Sequence, residues 1–167
     1  MVDSRSSSLS ELARLGFEAL SETVPKLEQL VKLVGDRGHG ALAAISASSS
    51  PDRALDVLIR LAELDAKALS KILAKHEQAE RLCRVLAASN GLSDFLLSHP
   101  QLISLFTAPS RIPAAEQLLE LDDSSQDALK ISYLTQLIRI TDFDLGHSDY
   151  KAPIQAVTAA LSDLAAG

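Results

Sequence analysis

Apolar residues recur along the chain at spacings of three and four, which places them on one face of a helix. No segment alternates apolar and polar residues over the length of a strand. The three clearest stripes are Leu27, Leu30, Val31 and Val34; Leu55, Leu58, Ile59 and Ala62; and Leu129, Tyr133, Leu137 and Ile140. The pattern predicts an all-α fold, an irregular multi-helix bundle with no β-sheet.

Proline, glycine and capping residues mark the helix ends. Ser8 and Glu11 have the spacing of a capping box, and Pro25 is expected in the first turn of its helix. Ser50 as N-cap, followed by Pro51 and Asp52, is a further start signal. We expect helices over about 8–16, 25–34, 41–47, 51–62, 65–75, 77–88, 92–99, 101–106, 113–121, 125–145 and 153–165.

Polar segments separate these helices. We expect a turn at Asp36–Gly40, and Asn90-Gly91 to end the helix before it. The polar run 122–125 is the best candidate for a boundary within the fold. The predicted organisation is a partly ordered, Ser-rich arm with a short helix at 1–20, a helical bundle at 21–122, and a long helix plus a terminal helix at 123–167. Apolar residues beside the main stripe of the long helix, Ile131, Leu134 and Ile138, predict that it is buried on more than one face.

Composition agrees with helix-on-helix packing and excludes several functions. Apolar residues make up 47% of the chain, aromatic residues only 4%, and Trp is absent, so the core must consist of Leu, Ile, Val and Ala. The net charge of −6 argues against a nucleic-acid partner. No apolar run reaches the ~18 residues that a bilayer span requires. The N-terminus lacks a signal-peptide core, so we expect a cytoplasmic protein.

Few residues offer catalytic or metal-binding chemistry. Cys83 is the only cysteine, which excludes an intrachain disulfide, and its helical apolar surroundings predict a buried side chain. The four histidines, His39, His76, His99 and His147, are dispersed and do not share a helix face. His99, just before Pro100, is expected to cap the C-terminus of its helix.

Asp142-Phe143-Asp144 is the most suggestive motif, because a D-x-D pair on a strand can hold the two magnesium ions of a nucleotidyl-transfer site. Here the pair falls near the end of a predicted helix, where residues i and i+2 point about 200° apart. The glycine-rich Gly35–Gly40 segment lacks the spacing and the Lys-Ser/Thr of a phosphate loop. We therefore predict no catalytic, cofactor-binding or metal-binding residue in this chain.

Several segments, taken in order, resemble the bacterial glutamine-synthetase adenylyltransferase family and are similar to its actinobacterial branch. The resemblance covers about residues 50–165 and is loose before residue 50, around Arg14–Phe17. The long helix departs from the family, which usually has arginines where this chain has 133–136. The segments are Pro51–Leu55, Leu58–Glu63, Arg81–Ser89, Leu92–Pro100, Leu137–Ile140 with Asp144-Leu145, and Leu161–Ala165.

The resemblance implies a part of a large cytoplasmic enzyme with two nucleotidyltransferase units. One unit attaches AMP to a tyrosine of glutamine synthetase with ATP and a divalent metal, magnesium in our reading. The N-terminal unit removes the AMP by phosphorolysis, and a PII-type signalling protein biases the balance. The catalytic motif is expected after residue 167, so the resemblance implies a non-catalytic N-terminal helical segment.

Two other interpretations stay open at this point. The chain could be a stand-alone helical interaction module with no catalytic parent, or an enzyme complete in these residues through Asp142 and Asp144. A segment of a larger enzyme should expose apolar surface where its neighbour lies, on the long helix and on the helix at 153–165. Self-association through those surfaces is a further prediction.

Overall fold

The computed structural model describes residues 3–119, 125–147, 149, 151 and 153–166. Within them the fold is all-α and contains no strand, which confirms the predicted fold class. A 3₁₀ helix, Pro100–Thr107, joins the α-helices. The α-helices are α1 (Asp3–Arg14), α2 (Leu20–Val34), α3 (Arg37–Gly40), α4 (Leu42–Ser46), α5 (Pro51–Leu73), α6 (His76–Ala88), α7 (Asn90–Ser98), α8 (Ala115–Leu119), α9 (Gln126–Leu145) and α10 (Ile154–Ala166).

The chain folds into two compact units, Met1–Thr107 and Ala108–Gly167. The first contains α1 to α7 and the 3₁₀ helix, and the second contains α8 to α10. The boundary that the sequence suggested, at 122–123, lies outside the described residues, so it stays a prediction.

Helix α5 is the centre of the first unit. It packs against α2, α3, α4, α6, α7 and the 3₁₀ helix. Its predicted stripe is buried: Leu55, Leu58, Ile59 and Ala62 are each at most 6% exposed. A buried Leu or Ile stabilises the fold by about 1.5–3 kcal/mol, so this one helix contributes much of the hydrophobic stabilisation of the unit.

Helix α5 is interrupted at Asp65, where the backbone is non-helical with φ −152° and ψ 81°. The Asp65 carboxylate accepts a hydrogen bond from the Ala68 N–H at 2.9 Å and so caps the second half of the helix. The sequence predicted two helices here, and the interruption between them is confirmed.

Helix α2 begins at Leu20, so the expectation that Pro25 lies in its first turn is wrong. The earlier start is stabilised from a distance. The Asp52 carboxylate accepts hydrogen bonds from the backbone N–H groups of Glu18 at 2.8 Å and Ala19 at 3.3 Å. Pro25 lies inside the helix on an exposed surface, where the carbonyl that loses its partner can bind water.

Lys26, on the next position of α2, joins this helix to α5. Its ammonium group lies 2.9 Å from the carboxylates of both Glu22 and Asp56. The hydrogen bond to Glu22, and to a smaller extent the one to Asp56, raises the pKa of Lys26 to about 12. Glu22 and Asp56 are exposed to solvent, so their ion pairs with Lys26 orient α2 and α5 more than they stabilise them.

Three other predicted boundaries need correction. Helix α1 begins at Asp3, so Ser8 lies within it and the capping box is wrong. Residues 37–40 form the short helix α3 instead of a turn, and Gly38 makes this possible because a Cβ there would lie 2.9 Å from the Val31 Cα. Asn90-Gly91 opens α7, since Ser89 accepts a hydrogen bond from the Leu92 N–H at 3.3 Å. The predicted start of α5 at Pro51, with Ser50 in the N-cap position, is confirmed, although the Ser50 side chain makes no cap hydrogen bond.

The second unit has a small apolar cluster of its own. Its buried members are Leu118, Ile140, Ala160 and Leu164, and Ile112, Leu137 and Val157 pack against them. Helix α9 begins where the sequence predicted, with the Ser125 hydroxyl accepting from the Ala128 N–H at 3.1 Å. Its buried residues, Ile138, Ile140 and Asp142, all lie in its C-terminal half. Burial on more than one face is therefore confirmed for that half only.

Replacing Asp52 with alanine should reduce the free energy of unfolding by about 1–2 kcal/mol, because the N–H groups before α2 lose a charged acceptor. Urea unfolding of the chain measures the loss. Asp36→Ala is the matched control: Asp36 precedes α3 without a side-chain cap bond, and its replacement should change the free energy by less than about 0.5 kcal/mol. Equal losses in both variants would contradict the proposed role of Asp52.

Candidate functional site

The histidines do not converge in the structure. His39 and His76 are exposed, and the His76 Nε2 lies 3.2 Å from the Glu80 carboxylate one turn along the same helix. Among the described residues, no group of three or more His, Cys, Asp or Glu side chains is placed to hold a metal ion. The imidazoles that do make close contacts lie at helix ends.

His99 caps α7, as the sequence predicted. It is the C-cap residue, and its backbone N–H donates to the carbonyls of Phe95 and Leu96. Its ring Nδ1 lies 3.1 Å from the Phe95 carbonyl oxygen, and the two rings are 4.6 Å apart. The imidazole thus makes a polar contact with a carbonyl in the last turn of the helix.

His147 does the same at the end of α9, which the sequence analysis missed. Its Nδ1 lies 2.7 Å from the Phe143 carbonyl oxygen, and its ring packs on Phe143 at 4.5 Å. A sequence signal for this role exists. Residues 93–99 and 141–147 both contain Asp-Phe, then Leu two positions after the Phe, then His two positions after the Leu. The heptapeptide is a helix-ending unit that occurs twice.

The D-x-D pair lies within α9 and does not form a joint site. Asp142 is buried, whereas Asp144 is exposed. This is the divergence that helix geometry predicts for residues i and i+2. The described residues therefore do not fit a two-metal nucleotidyl-transfer centre, which needs carboxylates converging on one point.

Cys83 is a buried apolar side chain, as predicted. Burial raises the pKa of its thiol from the ordinary 9.0 to about 12, and the nearby Glu80 carboxylate acts in the same direction. The nucleophile in thiol chemistry is the thiolate. A thiol kept neutral and out of contact with solvent is therefore suited to packing and unsuited to catalysis.

A buried polar arrangement in the first unit joins α6 to the 3₁₀ helix. Arg81 is only 5% exposed, and its guanidinium donates to the Phe106 carbonyl at 3.3 Å. It also lies 5.9 Å from the centroid of the Phe106 ring, within the range of a cation–π interaction. Gln78, one turn earlier, donates to the Thr107 carbonyl at 3.2 Å. Both side chains hold the end of the 3₁₀ helix.

Further side chains bind backbone groups at helix ends in the same way. Arg53 of α5 donates to the Ala87 carbonyl, at the end of α6, at 3.0 Å. The Ser93 hydroxyl lies 2.9 Å from the carbonyls of Leu86 and Ser89. Asp52, Arg53, Arg81, Ser93 and His99 lie in the segments that carry the family resemblance, and all of them bind backbone groups. These five side chains therefore contact the backbone at or near helix ends.

Two surface grooves on the described part of the first unit assemble no catalytic set. One, of about 370 Å³, lies between α5 and α7 and is lined by Arg60, Glu63, Leu64, Asp94, Leu97 and Ser98. The other, of about 210 Å³, surrounds Asp52, whose carboxylate already binds backbone N–H groups. Neither groove brings together a nucleophile, a general base and donors for a developing negative charge.

Among the described helices, none combines the length and the apolar character needed to cross a membrane. The fold and these contacts define a class: an all-α helical protein whose ordered polar side chains mainly cap helices and join them.

Comparison with known proteins relates the chain to a more specific group. It is 34% identical, over 174 residues, to the bifunctional glutamine synthetase adenylyltransferase/adenylyl-removing enzyme of Leifsonia xyli subsp. xyli (strain CTCB07). It is 28% identical, over 188 residues, to the enzyme of the same description from Cutibacterium acnes (strain DSM 16379 / KPA171202). No family model matches, and no solved structure matches.

These two matches confirm the resemblance to the glutamine-synthetase adenylyltransferase family, and the chain is a relative of one part of that enzyme. They cover 95% and 99% of this chain but only 17% and 19% of the two enzymes. The chain thus spans less than a fifth of the length of the curated relatives that it matches.

Replacing Arg81 with alanine should destabilise the first unit by about 2–4 kcal/mol, because the Phe106 carbonyl loses its donor and the Phe106 ring loses a packing partner. Urea unfolding measures the change. The matched control is Arg60→Ala on the exposed surface of α5, which should cost less than about 0.5 kcal/mol. If Arg81→Ala lowered the free energy of unfolding no more than Arg60→Ala, the contacts of Arg81 with the 3₁₀ helix would be unimportant for stability.

Stability should also fall with rising pH above about 9, because the Cys83 thiol ionises more easily in the unfolded chain, where its pKa is ordinary, than in the folded one, where it is about 12. Below that window both states hold the proton and the contribution is fully present. Within it, the folded state binds more protons, so each step upward in pH favours unfolding. Burial of the thiol is therefore the source of the predicted pH dependence.

The measurement compares urea unfolding of the native chain with Cys83→Ala at about pH 8 and about pH 10. The alanine variant lacks the titrating group, while lysines and tyrosines are common to both proteins. The stability advantage of the native chain should shrink by on the order of 1 kcal/mol per pH unit. A constant difference across the window would mean that the folded thiol ionises as easily as the unfolded one.

Proposed function

We propose that this chain is a non-catalytic N-terminal helical segment of a bifunctional glutamine-synthetase adenylyltransferase/adenylyl-removing enzyme. In this role it supports the unit that removes AMP from glutamine synthetase. The observation that carries the proposal is the extent of the two matches: 95% and 99% of this chain against 17% and 19% of the two enzymes. A stand-alone interaction module is not favoured by matches of this kind.

The geometry of the polar residues supports the non-catalytic part of the proposal. The candidates that the sequence offered have structural surroundings: Cys83 is buried, His99 caps α7, and Asp142 and Asp144 diverge. ATP and magnesium belong, in this proposal, to nucleotidyltransferase units elsewhere in the longer enzyme. Glutamine synthetase as substrate, a PII-type protein as regulator and a cytoplasmic location are parts of the same proposal.

Deleting this segment from the full-length enzyme should reduce phosphorolytic removal of AMP by more than about tenfold, because the AMP-removing unit loses its support. The assay follows ADP formed from phosphate and tyrosine-bound AMP, with adenylylated glutamine synthetase as substrate. The control is ATP-dependent adenylylation by the same deleted enzyme, which uses the other unit and should persist. Undiminished phosphorolysis would overturn the proposal.

The chain of 167 residues, assayed alone, supplies the second arm. It should form no ADP from adenylylated glutamine synthetase, because its described residues assemble no reaction centre. Turnover by this chain that disappears in Asp142→Asn or Asp144→Asn would overturn the non-catalytic assignment.

A further inference from the structure

Helix α10 exposes large apolar side chains along one face. Ile154 is 49% exposed and Leu161 is 41% exposed. The two residues are seven positions apart, which is two helical turns, so they lie on the same face. Thr158 and Ala165 continue this face at helical spacing and are also exposed. We call these four residues the α10 stripe.

The α10 stripe is distinct from the face by which α10 packs within its own unit. That packing face consists of Ala160 and Leu164, with Val157 partly buried beside them. A helix on the surface of a finished domain has one apolar face and is polar elsewhere. Helix α10 has apolar residues on two adjacent faces, and only the first of them is covered.

The composition of α10 limits what can cover the stripe. Its 13 residues include one charged side chain, Asp163, and no basic residue. Helices that lie on membrane surfaces carry Lys and Arg on the polar face to bind anionic lipid, so a membrane is not the occupant. The chemistry fits an apolar, uncharged protein surface.

The small area of the stripe distinguishes a tethered occupant from a second copy of the chain. A stable dimer buries about 800 Å² on each partner. Two half-exposed aliphatic side chains fall far short of that area. A segment continuing from α10 in the same polypeptide is held beside the stripe, at an effective concentration in the millimolar range. For such a segment a small apolar contact is sufficient.

We propose that the α10 stripe is the docking face for the segment that follows α10 in the longer enzyme. The inference rests on the proposed function, because it requires a parent chain that continues beyond this stretch. The relatives that match the chain have more than four fifths of their length outside the matched stretch. The stripe therefore positions α8 to α10 against the polypeptide that comes next.

The test is cysteine labelling in the full-length enzyme. Leu161→Cys places a thiol on the stripe, and Ala159→Cys is the matched control at an exposed position about 160° away around α10. Cys83 is buried and gives little background within this segment. A maleimide reagent with peptide mass spectrometry reads each position separately. Position 161 should react roughly tenfold more slowly than position 159, because local opening must precede labelling.

Equal rates at the two positions would overturn the inference. Slow labelling at 161 only at high enzyme concentration would also overturn it, because a second copy would then be the occupant. The outcome is separable from that of the deletion experiment. Protection at 161 with undiminished phosphorolysis after deletion would sink the proposed support of AMP removal and leave the docking face in place. Loss of phosphorolysis with equal labelling rates would do the reverse.

Discussion

The first turn of α5 fixes two other helices by their ends, and the packing of the first unit depends on it. Asp52 accepts from the N–H groups that precede α2, and its neighbour Arg53 donates to a carbonyl at the end of α6. Successive helical residues point in different directions, so two adjacent side chains can reach two different helices. The apolar stripe of α5 then determines how deeply those helices pack.

This arrangement solves a problem that short helices create. Every helix leaves several N–H groups and several carbonyls without partners inside the helix, and a chain of short helices has many such ends. Burying them unpaired would cost about 1–3 kcal/mol each. Here Arg81 and Gln78 bind the end of the 3₁₀ helix, Ser89 starts α7, and His99 ends it. Among the residues that the sequence offered as candidates for chemistry, His99 and His147 bind helix-end carbonyls in this way.

The sequence predicted what depends on local pattern and missed what depends on distant contacts. The α5 stripe, the end of α2 at Gly35 and the start of α9 at Ser125 are local signals, and they were correct. The predicted α9 stripe is buried only in its C-terminal half, and Tyr133 is exposed. The start of α2 was wrong because a carboxylate 33 and 34 positions away stabilises it. The expected role of Asn90-Gly91 as the end of a helix was wrong, because a turn dipeptide can also occupy the first turn of a helix when a serine precedes it as the cap.

The same distinction between local patterns and distant contacts holds for the candidate site residues. Divergence of Asp142 and Asp144 needed only the helical repeat and was predictable, and burial of Cys83 followed from its apolar neighbours. The role of His147 was also readable, through its heptapeptide match to residues 93–99, but only by comparing two segments that lie in different units. The grooves could not be predicted, because their lining residues come from helices whose relative placement the sequence does not specify.

Both units leave large apolar side chains exposed, and in the second unit these lie on two helices, α9 and α10. In the first unit α5 packs against six other elements and its main stripe is buried, but Leu9, Val24 and Leu64 are exposed. In the second unit α10 keeps Ile154 and Leu161 exposed, and α9 keeps Ile131 and Tyr133 about two fifths exposed. Apolar side chains left together on a helix face are a feature of surfaces that meet another protein surface. The exposed residues of α10 fit this description, because Ile154 and Leu161 lie two turns apart on one face of the helix.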